Sequence, residues 1–164
     1  MFQIQVRTTR PADAQGLTTM LAGLSPQSSF LRFLAGIGSP GPRLVTALLR
    51  RDADRGAWVA LADDEVVGHA MWGASDGAAE IGVVVADQWQ GRGIGRLLTV
   101  AALREARAAR GLTDVRLDLH PENRDLLGRL ARGARSVCHE EGMVTVLRPL
   151  ADLLPPQRSV VLTA

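Results

Sequence analysis

The sequence predicts a mixed α/β domain in which an antiparallel meander feeds one parallel crossover through a central helix. Three observations carry this. The elements run in the order strand, helices, three strands, helix, strand, helix, two strands. Short polar or Gly-containing turns separate the strands of the middle group and of the closing pair, as hairpins require. The last strand of the middle group instead enters a long helix and then a further strand, the connection that returns a chain parallel to itself.

Each element follows from pattern. "FQIQVRTT" alternates apolar and polar residues and reads as the first strand. "TTRPADAQGLTTMLAGL" opens with a Thr cap and Pro in the first turn, so a helix follows. "SPQSSFLRFL" repeats the Ser-Pro start for a short second helix, "GSPGP" breaks the chain, and "RLVTALLRRD" forms a third helical segment. "GAWVALADDEVVGHAMWG" reads as two strands around the turn Asp63-Asp64-Glu65, and "SDGAAEIGVVVAD" as the next, with Asp76-Gly77 as its turn. Ile94, Leu97, Leu98 and Ala101 fall at helical spacing, and Gly111 ends that helix. "DVRLDLH" alternates again, and "PENRDLLGRLARG" is a short helix with Pro, Glu and Asp in its first turn. "RSVCHEEGMVTVLRP" closes as a hairpin around Glu141-Gly142. Residues 1–149 therefore form one domain, and 150–164, with its double Pro, a linker followed by an arm or late strand.

Composition narrows the function. With 164 residues the chain has enough length for a core without disulfides or a structural metal. The single cysteine, Cys138, excludes a disulfide framework and a Cys-rich zinc site, and is expected to be a buried small apolar residue. No signal-peptide pattern and no apolar run of spanning length is present, so a soluble, cytoplasmic protein is expected. The net charge is only +2; the pI of 9.8 arises because the chain has no Lys and no Tyr, leaving almost nothing but Cys138 to titrate between neutral pH and the arginines. That is not the basic field of a nucleic-acid binder, and neither nucleic acid nor membrane is expected as a partner. Trp58 and Trp72 are expected in the core or an interface, and Arg50 and Arg51 in solvent.

The stretch "DQWQGRGIGR" carries the chemistry. Glycines 91, 93 and 95 stand where an apolar strand enters a helix, although Gly inside a helix costs about 1 kcal/mol relative to Ala. Such an entrance exposes unpaired N–H groups at the positive end of the helix dipole, and Gly lets an anion approach the backbone. A diphosphate is the natural guest. The dinucleotide fingerprint Gly-x-Gly-x-x-Gly does not fit this spacing, nor does a preceding meander fit its context. The P-loop needs a Lys. A third pattern, Gln/Arg-x-x-Gly-x-Gly/Ala after a strand, fits Gln90-Gly91-Arg92-Gly93-Ile94-Gly95.

On that match, in its context "VVVADQWQGRGIGRLL", and on "HPENRDLL" downstream, the chain resembles the GNAT family of N-acetyltransferases over most of residues 3 to 149. "LSPQSSFLRFLAG" and "AEIGVVVADQWQGRGIG" are similar to the acetyltransferase domains of bacterial protein-lysine acetyltransferases. The resemblance implies a mostly antiparallel sheet of six to seven strands with one parallel, splayed pair, flanked by helices on both faces. It implies acetyl-CoA as cofactor. The amides from Gly91 through Arg96 (Arg92, Gly93, Ile94 and Gly95 between them) would then cradle its pyrophosphate behind Gln90. Val83 and Val85 would bond the pantetheine arm as an added strand would, and Asn123 would touch it with its side chain. A plain helix cap is the other reading of Asn123.

The implied reaction is direct attack of an amine on a thioester. A lysine-type amine, pKa about 10.4, is almost wholly protonated at neutral pH, so a base is needed. Glu80 stands where the similar lysine acetyltransferases place their glutamate; Asp76 is the weaker candidate. Many members use a Tyr on the late helix as general acid, but the corresponding residue here is Leu130; His120, Ser136 and Cys138 are the substitutes the chain offers. The family's Gly-Phe reads Gly133-Ala134, one position early. The expected function is acetyl transfer to a primary amine, a protein lysine first and a small-molecule amine second. The alternative is a coenzyme A-binding sensor that has lost catalysis. A homodimer built through the tail is a further expectation, a disordered end the other.

Overall fold

Three two-residue turns set the register of the sheet. Asp63-Asp64, Asp76-Gly77 and Glu141-Gly142 each place both residues at positive φ, between 46° and 79°. That geometry matches the right-handed twist of the flanking strands, which is why Asp, Glu and Gly occupy it. Glu65 belongs to the strand rather than to the first turn.

The computed structural model describes residues 3–34 and 40–155. The strands are β1 (Ile4–Thr8), β2 (Arg55–Ala62), β3 (Glu65–Ser75), β4 (Ala78–Val85), β5 (Asp114–Leu119), β6 (Ser136–Glu140) and β7 (Met143–Pro149). The helices are α1 (Ala14–Ala22), α2 (Pro26–Phe33), α3 (Pro42–Leu49), α4 (Ile94–Arg110) and α5 (Arg124–Leu130). One seven-stranded sheet runs in the order β1-β2-β3-β4-β5-β7-β6, and only β4 and β5 are parallel. The mixed α/β class, the meander and the crossover through α4 are all present.

Alternation along β4 divides the core. Ala79, Ile81, Val83 and Val85 face α4 and its buried Ile94, Leu98, Ala102 and Leu103. Val84 faces the other way, onto Leu17, Met20 and Leu21 of α1 and Val45 and Leu48 of α3. Glu80 and Gly82 share that second face by the two-residue period. Beyond β4, Leu119, Val144 and Val146 bury Leu130 of α5. Each such side chain contributes roughly 1.5–3 kcal/mol by leaving water. Among the described residues no helix is long and apolar enough to cross a membrane.

Several details differ from the sequence expectation. Thr9 caps no helix: its hydroxyl donates to Leu49 O and Ala57 O, at 3.1 and 3.3 Å. Pro11 opens a single 3-10 turn, Pro11–Asp13, whose Asp13 carboxylate accepts from Arg10 N–H and from Arg7. Pro121 and Glu122 precede α5 instead of forming its first turn. Cys138 is exposed, because β6 is an edge strand with every residue open to solvent. Arg51 is not simply solvated but bonds Glu105 on α4. The Glu105 carboxylate also accepts from the indoles of Trp58 and Trp72, at 2.7 and 2.9 Å, so both tryptophans serve one clamp between α4 and the sheet. Leu150, 1% exposed, packs in the α4 core, and a 3-10 turn at Leu150–Leu153 continues from it. The arm or strand expected further along lies outside the described residues.

Candidate active site

β4 pairs along its whole length with β3, but with β5 only from Ala78 to Glu80, opposite Asp114 to Arg116. β5 turns instead to β7, which it follows through Leu119. The two parallel strands therefore part after Glu80 and Arg116.

The hydrogen-bond alternation of the β3–β4 ladder decides what faces the opening. Ala86 N–H donates to Val67 O, and the register pairs Val84 with His69 and Gly82 with Met71. Those even-numbered residues are the ones that exchange bonds with β3. Ile81, Val83 and Val85 turn their N–H and C=O groups the other way, toward β5. Beyond Glu80, β5 is no longer there to receive them. The Val85 carbonyl accepts a bond from Gln90 Nε2 at 3.1 Å. The edge of β4 thus offers the groups an extended ligand would pair with, as a strand would.

Past Val85 the chain makes a 3-10 turn, Asp87–Trp89, then enters α4 through Gly91 and Gly93, both left-handed at φ 73° and 81°. A Cβ at either would meet nothing within 4 Å, so the glycines are required by backbone conformation, and the space in front of them is open. Gly95 packs beside Val85. Leu97 N–H is the first to bond within α4, to Gly93 O at 3.1 Å. The N–H groups of Ile94, Gly95 and Arg96 precede it and have no acceptor in the helix, at the positive end of a 17-residue helix. Ile94 contributes only backbone, its side chain being 1% exposed. Arg96 is exposed, and Arg92 lies over the Trp89 ring at 4.8 Å.

Asn123 stands at the N-cap of α5, yet its side chain makes no cap bond. Glu80 occupies the last paired position, its Oε1 3.8 Å from Arg116 Nη1, both side chains partly exposed. Asp76 lies in the exposed hairpin turn at the paired end of β4, away from the opening. His120, just past the end of β5, accepts at Nδ1 from Glu122 N–H at 3.3 Å, which leaves the ring proton on Nε2 when the imidazole is neutral. Leu130 points into the core at 7% exposure.

The contacts that α2 makes at this site are not announced by any local pattern. α2 lies along the α1–α3 face of the opening. Phe30 meets the His120 ring edge-on, centroids 4.9 Å apart, and the Arg32 guanidinium rests on Gly82. Its N-terminus is tied to the glycine turn. Asp87 accepts from Ser25 N–H and from the Ser25 and Ser28 hydroxyls, at 2.7 to 3.0 Å, and Gln90 Nε2 donates to Ser28 Oγ at 3.2 Å. Burial works to raise the Asp87 pKa, but these bonds outweigh it and hold the carboxylate below its usual range. Gln90 is therefore engaged in bracing the turn on both sides.

A parted parallel pair, an anion-ready helix entrance and a strand edge between them can be compared with known proteins. The model of the acetyltransferase (GNAT) family matches residues 28–132. The chain belongs to the acetyltransferase (GNAT) family. A search of curated proteins finds no match. Among solved structures, this GNAT domain resembles the GNAT domain of S. lividans PAT at 22% identity and TM-score 0.74, over 89% of this chain and 90% of that one. It resembles the spermidine N-acetyltransferase of Vibrio cholerae, solved with CoA and spermine, at 15% identity and TM-score 0.70, over 93% and 99%. It also resembles the PaiA N-acetyltransferase of Thermoplasma acidophilum, solved with coenzyme A, at 15% identity and TM-score 0.66, over 90% and 99%. At these identities the likeness is one of GNAT fold, with the seven-stranded sheet and parted pair described above.

Proposed function

We propose that this GNAT domain transfers the acetyl group of acetyl-CoA to a primary amine, with Glu80 as general base. The observation that carries the proposal is the coincidence of Glu80 with the point where β4 leaves β5. Chain geometry fits the donor. Gly91 and Gly93 leave open space beside the free amides of α4, suited to a pyrophosphate. Val83, and Val85 through its N–H, present β4's edge to the pantetheine arm, the Val85 carbonyl being bonded already to Gln90, and Asn123 has a side chain free of capping duty on the other side of the opening.

In the reaction the amine nitrogen bonds to the thioester carbon and the sulfur leaves with its electron pair. Glu80 takes the amine's proton, directly or through water. A coenzyme A thiolate is a stable enough leaving group that the absence of a Tyr acid, with Leu130 buried in its place, does not forbid turnover. A protein lysine is the first acceptor in this reading, motivated by the resemblance of "LSPQSSFLRFLAG" and "AEIGVVVADQWQGRGIG" to protein-lysine acetyltransferases; a small-molecule amine is the second, motivated by the similar Vibrio cholerae enzyme solved with CoA and spermine.

The test is release of free thiol from acetyl-CoA in the presence of lysine peptides and small amines, with Cys138→Ser in the background to remove the exposed thiol. Amine-dependent release is expected. Binding of acetyl-CoA without release by any amine would favour the second reading, a regulatory acyl-CoA-binding domain, for which the buried Leu130 is the motivating observation.

A further inference from the structure

We propose that Arg32 is the positive charge that receives the electron density displaced when the amine attacks the thioester. The inference rests on the acetyl-transfer reading above and adds a residue to it.

The geometry starts at Gly82. A Cβ there would come within 2.6 Å of Arg32 Cζ and Nη2 and 2.8 Å of Nη1, so the guanidinium lies flat on a strand position that only glycine leaves open. Gly82 is two residues beyond Glu80 on the same face of β4, inside the stretch that has left β5. Base and cation are thus one strand repeat apart, about 7 Å along β4.

The guanidinium is also uncompensated. Arg32 Nε and Nη2 are sealed from solvent without a hydrogen-bond partner, and among the described residues no carboxylate lies within ion-pair distance of it. Its Cζ lies over the Phe33 ring, 4.8 Å from the centroid. The other charged or titratable groups on this face are otherwise occupied. Glu80 is beside Arg116, and Asp118 is beside Arg116 and accepts from Thr145. His69, opposite Val84, donates from Nε2 to Leu48 O, and burial keeps it neutral; His120 lies at the far end under Phe30. Burial lowers the Arg32 pKa to about 10, which still leaves it charged at neutral pH.

A cation with two of its three nitrogens sealed from solvent, on a side chain that is otherwise only partly buried, is costly to hold without a counter-ion, and that cost is offset when negative charge appears beside it. In acetyl transfer such charge appears transiently. The amine's lone pair bonds to the carbonyl carbon, and the C=O π pair moves onto oxygen. Of the ammonium's two lost protons, Glu80 passes the first to water before attack and takes the second from the nitrogen after it. The oxygen's pair then re-forms C=O, the C–S bond breaks, and sulfur departs as thiolate, to be protonated from solvent. Arg32 keeps all its protons throughout and favours the charge first on oxygen, then on sulfur. This gives the site an electrostatic partner for the leaving charge that does not depend on a proton donor at position 130.

The experiment compares native protein with Arg32→Met, Arg32→Lys and Gly82→Ala, using several amines that the native protein acetylates, with and without a carboxylate. Arg32→Met is expected to lower kcat about 100- to 1000-fold with every amine, while KM for the amine and the acetyl-CoA-induced rise in Tm stay near native. Arg32→Lys should recover part of the loss. Gly82→Ala, whose methyl displaces the guanidinium, should lower kcat without abolishing acetyl-CoA binding. Native kcat in Arg32→Met, or in Gly82→Ala where Arg32→Met does not fold, would overturn the proposal. So would a loss confined to amines bearing a carboxylate, which would make Arg32 an acceptor-binding group, or loss of the Tm response, which would make it structural. Failure of the native protein to turn over any amine would instead overturn the acetyl-transfer reading, and this proposal with it.

Discussion

Glu80 and Arg116 are the last residues to face each other before β4 and β5 part, with Arg116 Nη1 3.8 Å from Glu80 Oε1. The pair is loose and partly exposed, so its Coulombic worth is at most about 1 kcal/mol. Arg116→Leu is therefore expected to lower kcat by no more than about tenfold through poorer positioning of Glu80, with KM for acetyl-CoA unchanged. Steady-state kinetics on the variant check this.

Gly93 is left-handed at φ 81° with open space where a Cβ would sit. Gly93→Ala should cost about 1–2 kcal/mol of backbone strain, a fall in Tm of roughly 2–8 °C for a chain of this size. It should also weaken acetyl-CoA by more than that fall explains, because the methyl projects into the open space beside the first amides of α4. Titration calorimetry beside a melting curve separates the two effects.

Glu105 receives two indole N–H bonds and one from Arg51 on a side chain 22% exposed. Glu105→Ala leaves the Trp72 indole, on a residue 1% exposed, without its acceptor, and should cost about 2–4 kcal/mol. Tryptophan emission should change in the native state, since both indoles lose their carboxylate. Burial acts to raise the Glu105 pKa, but the hydrogen bonds from Trp72, Arg51 and Trp58 prevail and hold it below the usual carboxylate value. A depressed carboxylate contributes fully above its unfolded pKa and loses that contribution as pH falls through the folded one. The difference in stability between native and Glu105→Ala should therefore shrink only in acid.

His69 is fully buried, and desolvation, aided by the nearby Arg32 charge, lowers its pKa to about 4, despite the bond to Leu48 O. Between pH 6.5 and 4 the unfolded chain binds a proton there that the folded chain does not, so stability falls as pH drops across that window. The span corresponds to about 3 kcal/mol. His69→Asn, which keeps a donor toward Leu48 O without a titrating ring, should show a flatter fall in Tm from pH 7 to 4.5, even if it starts lower.

Local patterns were legible because they are set by neighbours in sequence. The three hairpin turns, the glycine entrance to α4 and the strand that precedes it all follow from residue types a few positions apart. The glycine turn could be named as a candidate pyrophosphate site for the same reason, through one continuous motif, whereas Glu80 and Asn123 became candidates only through the resemblance to GNAT proteins. What was missed depends on contacts between distant segments. Nothing near Arg32 in sequence says that it comes to rest on Gly82, 50 positions away. Nor does the spacing of Trp58, Trp72 and Glu105 announce that one carboxylate serves both indoles. Cys138 was misjudged because small apolar character is a poor guide on an edge strand, where both faces are open. Thr9 differs from a cap only in what its hydroxyl reaches, the Leu49 and Ala57 carbonyls of distant segments.

The most direct test of the account is the rate of amine-dependent thiol release from acetyl-CoA by native protein and by Glu80→Gln, measured across pH beside acetyl-CoA-induced thermal stabilisation of both. Glu80→Gln is expected to lower kcat about 100- to 10,000-fold at neutral pH, with the thermal stabilisation by acetyl-CoA retained. Native turnover by Glu80→Gln would contradict the account.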